Sequence, residues 1–356
     1  MNTKAIQLLT RAPAFGARFF IYAAIVATAM ASVCYMGSTA SYFFLAAHSD
    51  GHHDYVNQVG DEVLKQIGTI NDGRLSEISG IVESPRYSES FWVHNDSGNP
   101  AELFLIDHDG QVLVRLELSG AKNRDWEDIC AFEHNGQSYI CVGDVGDNKG
   151  RYESYFLYIF KEPELDIKSV RGTGSAEQHL TTKDYKKFEF SYEDGPKNCE
   201  AFAFDQSSHS FLLAEKGFDR KSGAKIGLYQ LKLDLEQNKS NKKSNVAKRV
   251  ANCGLKTPTA MAISANGKRL IISSYAAAGI WSLSNGSQSE ASDWISTLAN
   301  TKPTILPLPL QRQGEAIALD ATGGVAVTTS EHTGQPLWKI QVDAALKTLT
   351  RNSDAK

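Results

Sequence analysis

Two stretches of the chain carry more side-chain oxygens than a turn or a strand requires. One is His94-Asn95-Asp96-Ser97-Gly98-Asn99-Pro100. The other is Asn123-Arg124-Asp125-Trp126-Glu127-Asp128, followed by Gly143-Asp144-Val145-Gly146-Asp147-Asn148. Asp, Asn and Ser close turns by hydrogen bonding to nearby backbone, which accounts for part of the Gly-Asp-x-Gly-Asp-Asn string. Five acids in so short a span also invite chemistry, because like charges at close quarters are costly until something neutralises them. A hard cation with oxygen ligands is one answer, and Ca²⁺ tolerates many carboxylates. A retained or shared proton is another, and it makes general acids and bases. No Walker loop, G-x-S-x-G elbow, H-E-x-x-H or paired C-x-x-C is present to suggest other reactions.

A repeat sets where these residues must sit. Ser76-Glu77-Ile78-Ser79-Gly80-Ile81 returns as Trp126-Glu127-Asp128-Ile129-Cys130-Ala131-Phe132, then as Cys199-Glu200-Ala201-Phe202-Ala203-Phe204. It returns again as Thr259-Ala260-Met261-Ala262-Ile263 and Glu315-Ala316-Ile317-Ala318-Leu319, at spacings of 50, 73, 59 and 56 residues. Each copy leads into a turn, a second apolar run such as Phe91-Trp92-Val93 or Tyr139-Ile140-Cys141-Val142, and a third run with aromatics such as Phe156-Leu157-Tyr158-Ile159. Short strands at regular spacing indicate an all-β chain, and a period near 50 with four strands per unit selects a β-propeller. Five blades are expected, with six as the alternative because the 73-residue gap is long. Fourth strands are expected at 112–116, 188–190 after an insertion near 165–185, 250–251 and 305–306. The fifth blade borrows Val63-Leu64-Lys65-Gln66-Ile67 from before the first repeat. The basic run at 239–249 reads as a solvated outer loop.

Antiparallel pairing sends the start of each first strand and the end of each second strand to one mouth. Glu77, Glu127 with Asp125 and Asp128, Glu200, Thr259 and Glu315 form the first group. His94 to Ser97, Asp144 with Asp147-Asn148, Glu215-Lys216, Ser273-Ser274 and Ser330-Glu331-His332 form the second. The expected ligands of a divalent cation, Ca²⁺ above all, are a subset of Glu77, Asp96, Glu127, Asp144, Glu200 and Glu315. Glu127, Asp144 and Glu200 are the candidates for catalysis. The competing reading makes each acid a cap on the backbone of a neighbouring blade. His94 and His332 keep a transition metal as a minor option.

The string Asn95-Asp96-Ser97-Gly98, Leu103 to Asp107, Asp125-Trp126-Glu127-Asp128-Ile129, Gly143 to Asn148, Arg151, Glu162-Pro163 and Asn198-Cys199-Glu200-Ala201 resembles a family of exported bacterial β-propeller proteins. The likeness covers about residues 74–205; the later half matches only in the repeat, and Thr259 departs from the acidic position. More distantly the chain is similar to the phytase-like and esterase-like propellers. That likeness implies a calcium-binding mouth and hydrolysis of phosphate or carboxylic esters. No dense Lys/Arg cluster accompanies the acids to hold a polyphosphate.

Residues 1–18 carry Lys4, Arg11 and Arg18 and no acid, and residues 19–47 carry no charge. This reads as a signal-anchor helix long enough for about 30 Å of hydrocarbon, or as a signal peptide cleaved after Ala29-Met30-Ala31. The expected organisation is an anchor over 1–47, a polar stalk over 48–59, a propeller over 60–345 and a tail over 346–356. The propeller then faces the periplasm or cell exterior, attached to the membrane through the N-terminal helix or secreted after cleavage. His48, His52 and His53 in the stalk lack preorganised geometry for a metal. Cys130 and Cys141 flank a His134-Asn135-Gly136-Gln137 hairpin that sets them opposite each other, as a disulfide or as two buried thiols; Cys199 and Cys253 could form a second bridge. A net charge of −4 argues against a nucleic-acid partner. Two functions remain open: a metal-dependent ester or phosphoester hydrolase, and a non-catalytic scaffold whose mouth holds a small molecule, a surface polymer or a protein.

Overall fold

The computed structural model describes residues 62–354, except 172–175, 218–225, 236–244, 254, 256, 276, 284–292 and 310. The described chain is mostly β-strand. It opens with β1 (Leu64–Ile70) and continues into an antiparallel group of β2 (Ile78–Glu83), β3 (Ser90–Asn95), β4 (Glu102–Asp107) and β5 (Val112–Leu118). The second group starts with β6 (Trp126–His134), β7 (Gln137–Asp144) and β8 (Tyr155–Lys161). An insertion then holds the single-turn helix α1 (Ile167–Val170) and β9 (Gln178–Thr182), before β10 (Lys186–Tyr192) completes the group. The third group is β11 (Cys199–Asp205), β12 (Ser210–Glu215), β13 (Gly227–Lys232) and β14 (Asn245–Asn252). The fourth is β15 (Ala260–Ile263), β16 (Arg269–Ser273), β17 (Ala277–Ser282) and, after helix α2 (Trp294–Asn300), β18 (Thr304–Pro307). Last come β19 (Ala316–Leu319), β20 (Val325–Thr329) and β21 (Gln335–Gln341), which run into helix α3 (Val342–Asp354). β1 pairs antiparallel with β21 and brings this last group to four strands, in the order β1-β21-β20-β19.

These strands form where apolar and β-branched runs meet turn residues. Asn135 and Gly136 take φ of 50° and 71° between β6 and β7, the left-handed pair that a type I′ hairpin requires. The register that follows sets Cys130 against Cys141. Both are thiols, as are Cys199 and Cys253.

The apolar core lies between successive groups. Trp92, Leu103, Trp126, Ile140 and Tyr158 pack the first group on the second. Phe132, Tyr155, Phe202, Phe211 and Tyr229 pack the second on the third. Similar clusters join the third to the fourth around Leu212, Met261 and Trp281, and the last to the first around Ile78, Phe104 and Leu337. Each such side chain contributes about 1.5–3 kcal/mol by leaving water. The first strands of the groups pack side by side in a closed cycle, β2 on β6, β6 on β11, β11 on β15, β15 on β19 and β19 on β2.

Three features depart from the sequence expectations. β9, inside the insertion, adds a fifth strand to the first group by parallel pairing with β5, and β10 pairs in parallel with β14. Lys248 and Arg249, assigned to an outer loop, lie in β14, where both are exposed. The segment set aside as a tail belongs, through Asp354, to α3, which Val342 and Ala345 anchor by burial. Among the described residues no helix is long and apolar enough to cross a membrane. The anchor and the His-rich stalk fall outside the described residues.

Candidate functional site

Two β-bulges place the central acids. Trp126 pairs with Asp144 but Asp128 with Gly143, leaving Glu127 as the extra residue; Cys199 pairs with Glu215 but Ala201 with Ala214, leaving Glu200. A bulge re-aims a side chain out of the strand's alternation. In β2 the same irregularity falls between Ile78 and Gly80, so the counterpart of Glu127 and Glu200 is Ser79, not Glu77. The sequence repeat is slipped by two residues there. Ser79 donates its hydroxyl to the Glu127 carbonyl at 2.6 Å.

Glu127 meets Asp96 and Asp125, with one carboxylate oxygen of each within 4.8 Å of the others. Asp96 follows β3 and is held there by Asn123, whose Nδ2 donates to the carbonyls of Asn95 and Asp96 at 3.1 and 2.7 Å. Asp125 precedes β6, and its carbonyl accepts from the backbone N–H groups of Val145 and Gly146 at 3.1 Å each. Gly146 lies against both carboxylates; a Cβ on it would collide with Glu127 Oε1 and come within 2.6 Å of Asp125 Cγ. Glu127 is 4% exposed, and its carboxylate accepts no hydrogen bond from the described residues. Burial first, then the charges of Glu200, Asp96 and Asp125, push it well above the usual carboxylate range. Burial and the Asp96 charge push Asp125 up to about 6, and burial also raises Asp96.

The other side of the mouth is neutralised from within. Lys216, after β12, forms an ion pair with Glu200, and its Nζ lies 3.9 Å from Glu315 Oε1. It packs on the ring of Tyr275 with the Nζ 5.1 Å from the centroid. Burial disfavours the Lys216 charge, but Glu200 and Tyr275 outweigh it and hold the amine protonated. Asn198 donates to Glu200 Oε1 at 3.0 Å. Burial pushes Glu315 up to about 7, against the pull of the nearby Lys216 charge.

The six expected ligands therefore separate. Asp96 and Glu127 come together, joined by Asp125, which was placed at the mouth but outside the ligand set. Asp144 accepts from Arg124 Nε at 3.3 Å and from the Asp125 N–H at 3.1 Å, so it steadies Asp125 instead of opening to a ligand. Arg124 is in turn stacked 3.7 Å over Tyr152. Glu200 and Glu315 answer to Lys216. Glu77 is exposed and accepts from Asn99 Nδ2 at 2.6 Å.

Two other mouth acids are structural. Asp147 accepts from the N–H groups of Arg151 and Tyr152 and from the Tyr155 hydroxyl, at 2.9, 2.9 and 3.0 Å; burial opposes its charge, but these donors prevail and hold it below the usual range. Asp128 is fully buried and accepts from the N–H groups of Ile129, Phe202 and Met261 at 2.8, 2.9 and 3.0 Å. It ties β6, β11 and β15 together. Thr259 spends its hydroxyl on Ser273 and the Gly314 carbonyl. His94 is buried edge-on to Trp126, and burial pulls it down to about 4, so it stays a neutral packing group.

Comparison with known proteins adds little to this geometry. No protein-family model and no curated protein matches the sequence. Among solved structures, Kuenenia stuttgartiensis hydrazine synthase is similar at 11% identity over 72% of this chain, with a TM-score of 0.35. The matched region spans 56% of that protein's chain, little more than half its length.

Proposed function

We propose that the chain is a five-bladed β-propeller carried outside the cytoplasmic membrane by its N-terminal segment, and that it is a metal-dependent hydrolase of carboxylic or phosphoric esters. The closed cycle of first strands and the completion of the last group by β1 support the propeller. The basic start and the uncharged stretch after it support export and membrane attachment.

One observation carries the functional reading: Glu127 is a buried carboxylate that accepts no hydrogen bond from the described residues, set beside two further carboxylates. Burying an ionised acid without a partner is expensive. A cation at Asp96, Asp125 and Glu127 supplies the missing counter-charge. Oxygens bound to one Ca²⁺ at about 2.3–2.6 Å lie within roughly 5 Å of each other, and the three carboxylates meet that condition. An all-oxygen donor set favours Ca²⁺ or Mg²⁺ over Zn²⁺. Such an ion lowers the pKa of bound water and so supplies a nucleophile.

The test has two parts. Calorimetric titration of the full chain with Ca²⁺ should give binding that Glu127→Gln abolishes and Asp144→Asn retains. A panel of p-nitrophenyl acetate, phosphate and phosphodiester substrates should then show turnover that chelator removes. Binding without turnover on any ester would leave a metal-stabilised binding module. No binding at millimolar Ca²⁺ would make the three acids structural.

A further inference from the structure

Away from the mouth, the seam between the last and first groups holds a cavity of about 270 Å³. Glu83 at the end of β2 and Phe91 near the start of β3 line it, so it lies at the opposite end of the strands from the acids described above. Cavities for drug-sized ligands run from about 300 to 1,000 Å³, and this one suits something smaller.

Its wall is part apolar and part charged. Phe91, Ala318 and Val327 are buried residues of the two groups, and Ile67 joins them from the bulge between Gln66 and Gly68 of β1. The charged part comes from Glu83, from Asp320 just past β19, and from Lys339 on β21. Asp320 is engaged: it accepts from the Val325 N–H at 3.0 Å and from the Thr322 hydroxyl at 2.7 Å. His108, at the cavity's edge, pairs with its neighbour Asp109 at 3.4 Å, and Glu89 is exposed. Glu83 and Lys339 are both half-buried, yet among the described residues neither side chain makes a hydrogen bond or an ion pair. Burial, and after it the Asp320 charge, raise Glu83 above the usual carboxylate range, against the pull of Lys339. The two opposite charges feel each other without meeting.

A carboxylate and an ammonium that share an apolar cavity, each without a partner, complement a small molecule bearing both charges and an apolar body. We propose that this cavity binds a free α-amino acid with an apolar side chain, leucine being the probe: its ammonium against Glu83, its carboxylate against Lys339, and its side chain against Phe91, Ala318 and Val327. An amine alone would leave Lys339 without a counter-charge, and an organic acid alone would leave Glu83 so. The site is separate from the mouth and does not rest on the hydrolase reading.

Calorimetric titration of the full chain with L-leucine tests this, beside three analogues that each lack one feature. Leucinamide has no carboxylate, isocaproate no ammonium, and glycine no apolar side chain. Leucine should bind, and each analogue should bind about tenfold or more weakly, the loss of one charged contact or one buried side chain. Glu83→Gln and Lys339→Met should each weaken leucine by a similar factor, and Lys339→Met should leave leucinamide unchanged. The analogues are read on the wild-type chain, so the test stands even where a substitution disturbs the fold. No binding of leucine at millimolar concentration, equal affinity for leucine and leucinamide or isocaproate, or leucine binding that survives Glu83→Gln in a folded variant would overturn the proposal.

Discussion

Gly146 makes the acid triad possible by having no side chain, because the loop that carries it lies flat on Glu127 and Asp125. Gly146→Ala should cost about 1–3 kcal/mol by overpacking and abolish Ca²⁺ binding, both readable from thermal melts with and without the ion. Asp125 predicts a pH dependence. Its acid is favoured in the fold, with a folded value of about 6 against an ordinary 3.8. The stability this gives is complete below pH 3.8 and is lost as pH rises through 6. The metal-free protein should therefore lose about 1–2 kcal/mol of stability over that window, after allowance for solvent screening. Asp125→Asn should flatten the decline, and Ca²⁺ should reverse it at neutral pH. Melting curves at pH 4, 5, 6 and 7 decide this. At this scale the acids were legible but their partners were not. Glu127 and Glu200 stand in a repeated position, whereas Asp125 and Asp144 exchange roles because a bulge and Arg124 intervene, and neither leaves a mark in residue spacing.

Strand starts decide which acids face the mouth and which face inward. Asp128, one residue past the Glu127 bulge, turns into the centre and takes three backbone N–H groups from three strands. Asp128→Ala leaves the N–H groups of Phe202 and Met261 buried without acceptors, and should cost at least about 3 kcal/mol, seen as a loss of melting temperature or of soluble yield. Glu162, the residue just past the end of β8, does similar work between groups. It accepts from the Trp92 indole N–H at 2.9 Å and from the Ser84 hydroxyl. Glu162→Ala should destabilise by about 2–3 kcal/mol without altering Ca²⁺ binding, which separates a fastening acid from a ligand. Alternation of apolar residues located nearly every strand. It missed β9, a polar edge strand of sequence QHLTT whose pattern comes from its parallel neighbour β5 and not from a buried face of its own.

Across the molecule, order depends on pairing between distant parts of the sequence. β1 covers the outer edge of β21, and an uncovered edge is a template for association with other chains. Removing residues up to Ile70 should produce soluble oligomers in light scattering, while removing only residues up to 61 should leave a monomer. The closure was legible because the last repeat lacked a fourth strand and a spare apolar run preceded the first. The same closure sets a waiting time during synthesis. Ile70 pairs with Gln335, so the first strand emerges long before its partner exists. At about 5–20 residues per second the gap is roughly 15–50 s. For that interval β1 has no strand to pair with, and Leu64, buried at the end, lacks its opposite residue Ile340. A nascent chain in that state needs a chaperone's grip more than it needs speed.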